Sequence, residues 1–433
     1  MQSYFENKKI KENSNKEIEN SETSVKCSDT PENKNENKIL IIFIIILIVY
    51  LIIVIGIEFA YRNSLFKKSI TLQENIREKY DKDNFFYKFW KFMSYFGEAK
   101  ITLSIFAIIF LFLPINSSFT LILVIGFASY ITNLLKMLYR NKRPYWESRI
   151  LDVVCNSGYG NPSGHSLTST SYYLTLSHLV TNYYYFYNTK TGKILKILIF
   201  VFFIAWIFLI LCSRFFLAAH SLNQIIYGFS LGLALYFLVV FILSYHIYNC
   251  NQFIKHIKKN IVIIIYGVLS VALIVISIIV YFVINKDKEL ENNLNENIFN
   301  GDRCKSKKKY KMLMHDGFFQ SLAITSVPGS FFGILTLFIL LKKNNFVVDE
   351  FVVKFNYSGW KRWLKRLPIL IVSAIPILLS FLIPGSSSLT VIFLFKSALS
   401  FLLTSFCIYA FGVFFAIYFD FANEEITEKI VVK

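Results

Sequence analysis

Three short segments place ionisable and hydroxyl side chains at spacings suited to gripping one phosphate. The first is Lys136-Met-Leu-Tyr-Arg-Asn-Lys-Arg143-Pro144. The second is Asn161-Pro162-Ser163-Gly164-His165, and the third is Ser213-Arg214-Phe-Phe-Leu-Ala-Ala-His220. Lys136, Arg143 and Arg214 are three cations, and Arg offers bidentate, permanently charged contacts to phosphate oxygens. Ser163 adds a hydroxyl. Gly164 adds an N–H near a helix start, where the dipole favours an anion. The charge on the equatorial oxygens changes as a phosphoryl group is transferred, so fixed donors favour the transition state. Two imidazoles complete the set. One neutral ring can attack phosphorus and the other can protonate the leaving alkoxide, because an ordinary pKa of about 6.5 keeps both forms within reach.

The elements that position these segments follow from composition. Of 433 residues, 55% are hydrophobic and only 17% charged, with 45 Phe and 26 Tyr. Stretches such as Ile39 to Ile57 have no charge at all, whereas a soluble helix needs a polar face. Soluble classes are excluded, and an all-α polytopic membrane helix bundle is expected. Spans are predicted near Ile39–Ile57, twice within Ile101–Leu135 on either side of a turn at Pro114, and near Ser166–Tyr187, Ile194–Cys212 and Leu222–Tyr245. Four more follow at about Ile261–Ile284, Phe318–Leu341, Leu367–Ile383 and Leu389–Phe419, about ten in all. Two spans separate the second polar segment from the third. All three segments therefore return to one membrane face.

The Lys- and Arg-rich linkers 188–196, 249–259 and 342–366 are predicted to face the cytosol. That puts the polar segments on the other face and both termini in the cytosol. Residues 1–38 form a polar tail that cannot bury enough apolar surface to order itself. Residues 39–60 form an extra N-terminal anchor, and the aromatic, charged stretch from Tyr61 to Tyr95 is expected on the membrane surface. The net charge of +18 is largely that of short loops between spans, so the expected partners are membrane lipids and no nucleic acid. Cys212 and Cys407 read as packed hydrophobes. Cys155 and Cys304 fall on one predicted side, which leaves a disulfide between them open.

The three segments resemble the signature of the type-2 phosphatidic acid phosphatase superfamily: Lys, six residues, Arg-Pro; then Pro-Ser-Gly-His; then Ser-Arg, five residues, His. Within it the chain is most similar to the glucose-6-phosphatase family. Arg143-Pro-Tyr-Trp146, Leu217-Ala-Ala-His220, Gln224 and Phe395-Lys396-Ser397-Ala398 carry that likeness, from about residue 75 onward. The resemblance implies a six-helix catalytic core, placed at 61–248, with 249–433 completing the membrane domain. It implies His220 as nucleophile, forming a phosphohistidine, and His165 as general acid and then activator of water. Lys136, Arg143, Ser163, Gly164 and Arg214 would hold the phosphate. Gln224, one turn beyond His220, would orient its ring.

The resemblance implies no cofactor and no metal. It implies hydrolysis of glucose 6-phosphate in the endoplasmic reticulum membrane, with a lumenal site that a sugar-phosphate transporter would supply. A lipid phosphate phosphatase acting on phosphatidic acid, sphingosine 1-phosphate or a polyprenyl diphosphate is the alternative. Blander readings stand beside these. A lone Lys136 would be a snorkelling cation, and it is the spacing to Arg143 that reverses this. His178 reads as a packed polar group, and His246, His256 and His315 as solvated. Lys396 reads as snorkelling or paired.

Overall fold

The structure, a computed structural model, describes residues 34–80, 84–110, 115–148, 151, 158–183, 190–243, 260–284, 313–343, 371, 375–380, 382 and 392–412. Among these residues there are helices and no strands. Residues 1–49 and 50–433 form two compact units.

Helix α1 runs from Lys34 to Lys79. It is followed by α2 (Phe85–Tyr95), α3 (Ala99–Phe110), α4 (Ile115–Tyr139) and the single turn α5 (Pro144–Glu147). Next come α6 (Gly164–Tyr183), α7 (Lys190–Phe216) and α8 (Leu222–Phe237), which continues as a π-helical turn. The C-terminal half contributes α9 (Asn260–Ile284), α10 (Leu313–Ser321), α11 (Ser326–Lys343), α12 (Ile375–Ser380) and α13 (Leu399–Cys407). The chain is thus an all-α, multi-pass membrane bundle. Among the described residues, six helical stretches are long and apolar enough to cross a membrane: Ile41–Lys79, Ser117–Glu147, Thr191–Phe216, Leu222–Val240, Ile261–Val283 and Gly317–Leu340. Their outward faces are apolar, as at Ile197, Val201 and Phe208 on α7 and Val268 and Val271 on α9. Such faces suit lipid rather than water.

Two expectations change. Residues from Tyr61 are not a separate surface segment, because α1 continues without a break. No proline lies between Ile57 and Lys79, and Gly56 sits in open space within the helix. A helix of 46 residues is about 69 Å long at 1.5 Å per residue. That is more than twice the roughly 30 Å of hydrocarbon a bilayer offers. The second change concerns α6. Its Ser166, Ser169, Thr170, Ser171, Thr175 and Ser177 are fully buried, so it is a polar helix lodged inside the bundle. The predicted span near 389–419 is described over 392–412, whereas about half of that near 367–383 falls outside the described residues. So do Cys155 and Cys304; Cys212 and Cys407 are free thiols, partly buried.

Small residues set the spacing around α6. A Cβ on Gly228 would lie 2.6 Å from the Ser163 carbonyl oxygen, and one on Gly232 would lie 2.7 Å from the Leu167 oxygen. This Gly-x-x-x-Gly face of α8 lets the two backbones touch. Gly329 and Gly333 play the same part on α11, against Leu402 and Phe406 of the α13 segment. Helix α4 is held from both sides: Tyr139 Oη pairs with Tyr227 Oη of α8 at 3.0 Å, and Ser129 Oγ donates to the Gln320 carbonyl of α10 at 2.8 Å.

Candidate active site

The third segment turns on a C-terminal helix cap. At the end of α7, the Arg214 carbonyl accepts from the Ala219 N–H at 3.1 Å, and the Phe215 carbonyl accepts from the Ala218 N–H at 2.9 Å. This is a Schellman motif. Ala218 occupies its left-handed position with φ of 51°, where glycine is the usual residue. The turn reverses the chain and delivers His220 to a buried position just before α8.

The His220 ring has a fixed tautomer. Its Nδ1 lies 2.9 Å from the Gly160 carbonyl oxygen and 3.2 Å from Gln224 Oε1. A carbonyl can only accept, so Nδ1 carries the hydrogen. Its Nε2 lies 3.2 Å from Arg143 Nη1. A guanidinium can only donate, so Nε2 presents its electron pair. The Gln224 amide is fixed by the same logic. Its Nε2 donates to the Lys142 carbonyl at 2.8 Å, while its Oε1 accepts from the Ser221 N–H at 3.3 Å. Gln224 is therefore both the capping residue of α8 and an acceptor for the imidazole. Gly160 is packed so closely that a Cβ there would lie 2.5 Å from Gln224 Nε2.

Arg143 joins two of the loops. It is buried, and besides facing His220 its Nε donates to the Gly158 carbonyl at 2.7 Å and its Nη1 to the Ala219 carbonyl at 3.1 Å. Arg214 is buried too, and its Nη1 donates to Ser94 Oγ of α2. Ser94 is a partner that the sequence reading did not single out. Arg214 Nε is a buried donor with no hydrogen-bond partner among the described residues.

The second segment approaches from α6. The Ser163 N–H donates to the Gln224 carbonyl at 3.0 Å, tying this loop to the start of α8. Ser163 Oγ accepts from Ser166 Oγ at 2.9 Å. Lys136 reaches the same place from α4: a Cβ on Gly164 would lie 3.7 Å from Lys136 Nζ. His165 packs under the α2–α3 turn, where a Cβ on Gly97 would lie 2.8 Å from its Cδ2. His165 Nε2 is buried and has no hydrogen-bond partner among the described residues. Lys136, Arg143, Arg214 and His165 all act electrostatically on His220. The structure thus brings together Lys136, Arg143, Ser163, Gly164, His165, Arg214, His220 and Gln224.

The comparisons bear on what such a cluster belongs to. Residues 117–249 match the model of the PAP2 superfamily. That stretch is similar to the PAP2 superfamily. The matched stretch contains all three segments, from Lys136 to Gln224. No curated protein matches the chain. One similar solved structure is the crystal structure of the first transmembrane PAP2-type phosphatidylglycerolphosphate phosphatase from Bacillus subtilis. It aligns at 17% identity with a TM-score of 0.39, over 46% of this chain and 96% of that one.

Other singled-out residues lie elsewhere. Just after the first segment, Tyr145 and Trp146 are buried in an apolar cluster with Leu151, Tyr159, Ala218 and Phe318. They wedge the loop against α10. His178 faces Tyr236 with ring centroids 6.3 Å apart, as befits a packed polar group. His246, His256 and the side chain of His315 lie outside what the structure describes. Lys142 forms an exposed pair with Glu147 at 2.7 Å, of a kind that contributes little.

Burial, and then the positive charges of Arg143, Arg214 and Lys136 with His165 beside them, hold the His220 imidazole well below its ordinary pKa. The folded chain keeps this ring neutral at pH values where the unfolded chain would protonate it, below about 6.5. This group's contribution to stability is therefore complete above that pH and declines as pH falls toward the depressed folded value. Reactivity should follow the same sign. If this ring acts as a nucleophile, its acid limb in kcat/KM is expected below about pH 6.5. A pH–rate profile on the purified protein checks this, and an acid limb above that value contradicts it.

Proposed function

We propose that the chain is a membrane phosphohydrolase that hydrolyses glucose 6-phosphate to glucose and phosphate through a phosphohistidine on His220. The similarity to the PAP2 superfamily supports a phosphatase that acts on phosphoric monoesters. The single observation carrying the mechanism is the His220 tautomer, with Nδ1–H tied to Gly160 and Nε2 left basic beside Arg143. In this reading Nε2 attacks phosphorus, the P–O bond to the sugar breaks, and His165, which takes up a proton when the bound phosphate's negative charge offsets the surrounding cations, gives that proton to the leaving oxygen. His165 then takes a proton from water, whose oxygen attacks the phosphohistidine and frees His220. Arg143, Arg214, Lys136 and the Ser163 and Gly164 groups hold the three equatorial oxygens of the phosphoryl group, where donors matched to the transition state each contribute about 2.7–4 kcal/mol.

Glucose 6-phosphate as substrate rests on the resemblance of Arg143-Pro-Tyr-Trp146, Gln224 and Phe395-Lys396-Ser397-Ala398 to the glucose-6-phosphatase family. The same reading puts the enzyme in the endoplasmic reticulum membrane with a lumenal site and cytosolic termini, served by a sugar-phosphate transporter. Its domain arrangement would be a tail at 1–38, an anchor at 39–60, the catalytic core at 61–248 and the completing helices at 249–433.

The test is a substrate panel on purified protein in detergent: glucose 6-phosphate, other hexose phosphates, phosphatidic acid, sphingosine 1-phosphate and a polyprenyl diphosphate. Glucose 6-phosphate is expected to give the highest kcat/KM. Release of phosphate from the lipids alone would replace the sugar reading with the lipid one.

A further inference from the structure

Helix α1 begins as an apolar anchor, yet its later turns supply side chains to the second and third of the three segments and to residues beside them. Glu58 is buried, 4% exposed, and its Oε1 accepts from Asn161 Nδ2 at 2.7 Å and from Asn223 Nδ2 at 3.2 Å. Asn161 Nδ2 also donates to Asn141 Oδ1 at 3.0 Å. Asn141 lies between Lys136 and Arg143, Asn161 precedes Pro162-Ser163-Gly164-His165, and Asn223 follows His220 by three residues. One carboxylate oxygen therefore stands where the three segments join. Four turns further on, Gln73 is buried. Its Nε2 donates to the His220 carbonyl at 2.8 Å and to the Phe215 carbonyl at 3.0 Å. Those two carbonyls bracket the Ala218 turn. Between them on α1, Ser69 Oγ accepts from the Leu222 N–H at 2.9 Å, and Glu74 accepts from Ser148 Oγ.

A membrane anchor needs none of these contacts. Polar side chains in an apolar helix are costly unless satisfied, and here each named bond runs to a segment of the site or to a residue within a few positions of one. We propose that α1 is a built-in part of the site, with Glu58 and Gln73 as positioning residues that hold the His165 and His220 loops in register. The proposal rests on the phosphohydrolase reading for its consequence in catalysis. Neither residue needs to touch substrate. Each acts on backbone or amide groups behind the histidines, where a displacement of about 1 Å can cost about a hundredfold in rate.

The pattern of variants follows from the donors and acceptors. Glu58→Gln keeps the accepting oxygen and is expected to retain kcat within about threefold. Glu58→Ala removes it and is expected to lower kcat by about 10–100-fold. Gln73→Glu keeps size but loses both donors and sets a carboxylate against two carbonyls, so it should lose at least as much as Gln73→Ala. KM should stay within about threefold in all four, because the phosphate ligands remain.

The experiment measures kcat and KM for phosphate release by the full chain in detergent, together with thermal stability and backbone hydrogen exchange of 158–165 and 213–224. Faster exchange confined to those segments, with kcat lost in Glu58→Ala and Gln73→Glu and kept in Glu58→Gln, supports the proposal. Unchanged kcat and exchange in both Glu58→Ala and Gln73→Ala overturns it. So does an equal loss in Glu58→Gln and Glu58→Ala. A variant that does not fold is replaced by Ser69→Ala, which removes one acceptor from the Leu222 N–H and must speed exchange at 220–224 for the proposal to stand. If the parent protein hydrolyses no phosphate ester, the phosphohydrolase reading falls by itself, and the exchange data still decide whether α1 holds the loops.

Discussion

His220→Ala is expected to abolish phosphate release, with kcat falling by about 10⁴-fold or more, the scale on which removing a covalent nucleophile acts. The expectation rests on what the ring does and on what its loss leaves behind. Gly160 and Gln224 fix Nδ1–H, and Arg143 faces Nε2. Alanine removes the attacking nitrogen but leaves Arg143 bound to the Gly158 and Ala219 carbonyls. The groups proposed to bind phosphate thus stay in place, and binding of inorganic phosphate or vanadate should survive. A second readout is the intermediate itself. A rapid quench in alkali should trap labelled phosphate on the parent protein, stable to base and labile to acid as an N–P bond is, and none on His220→Ala. Equal turnover by the variant would rule out covalent catalysis through this residue.

Much of the site was legible because its chemistry is local along the chain. The six-residue interval from Lys136 to Arg143 and the five-residue interval from Arg214 to His220 are fixed by helix ends, and helix ends are visible as the edges of apolar runs. The parity of spans then places the second and third segments on one face, and the Ser163 N–H to Gln224 carbonyl bond shows them joined. Gln224 was legible for a different reason, through the family resemblance and its place one helical turn beyond His220, whereas its capping role at Ser221 was not.

The contributions of α1 were not legible. Gln73 binds carbonyls 142 and 147 residues away, and a backbone carbonyl has no sequence signature. Glu58 ends an apolar run, where an acid ordinarily marks the membrane surface. Ala218 hid the helix stop that a glycine would have announced. The Gly228-x-x-x-Gly232 spacing was readable but unread, and it explains why α6 can be so polar. Its hydroxyls bond back to its own turns, as Ser171 Oγ does to the Leu167 carbonyl at 2.9 Å, and α8 covers it at backbone distance. Hydropathy ranks α6 low as a span because it is shielded from lipid on the side where its serines lie.

Arg143 is where the site's rigidity and its chemistry coincide, and this makes Arg143→Lys the most informative conservative change. Lysine keeps the positive charge. It cannot hold the Gly158 carbonyl, the Ala219 carbonyl and a phosphate oxygen beside His220 Nε2 together, because an ammonium lacks the planar fork. If charge alone matters, Arg143→Lys should resemble the parent. If geometry matters, kcat should fall by about 10²–10³-fold, the loss typical of one transition-state donor. The second result is expected, because the donors of Arg143 are already committed to one arrangement by carbonyls 2.7 and 3.1 Å away. Arg143→Ala should go further. It strands two buried carbonyls at about 1–3 kcal/mol each, so a fall in thermal stability should accompany the loss of rate. Measuring kcat and unfolding temperature for both variants separates the two roles. An Arg143→Lys protein within about threefold of the parent in kcat would show that the cation's charge, and not its fixed fork, serves the reaction.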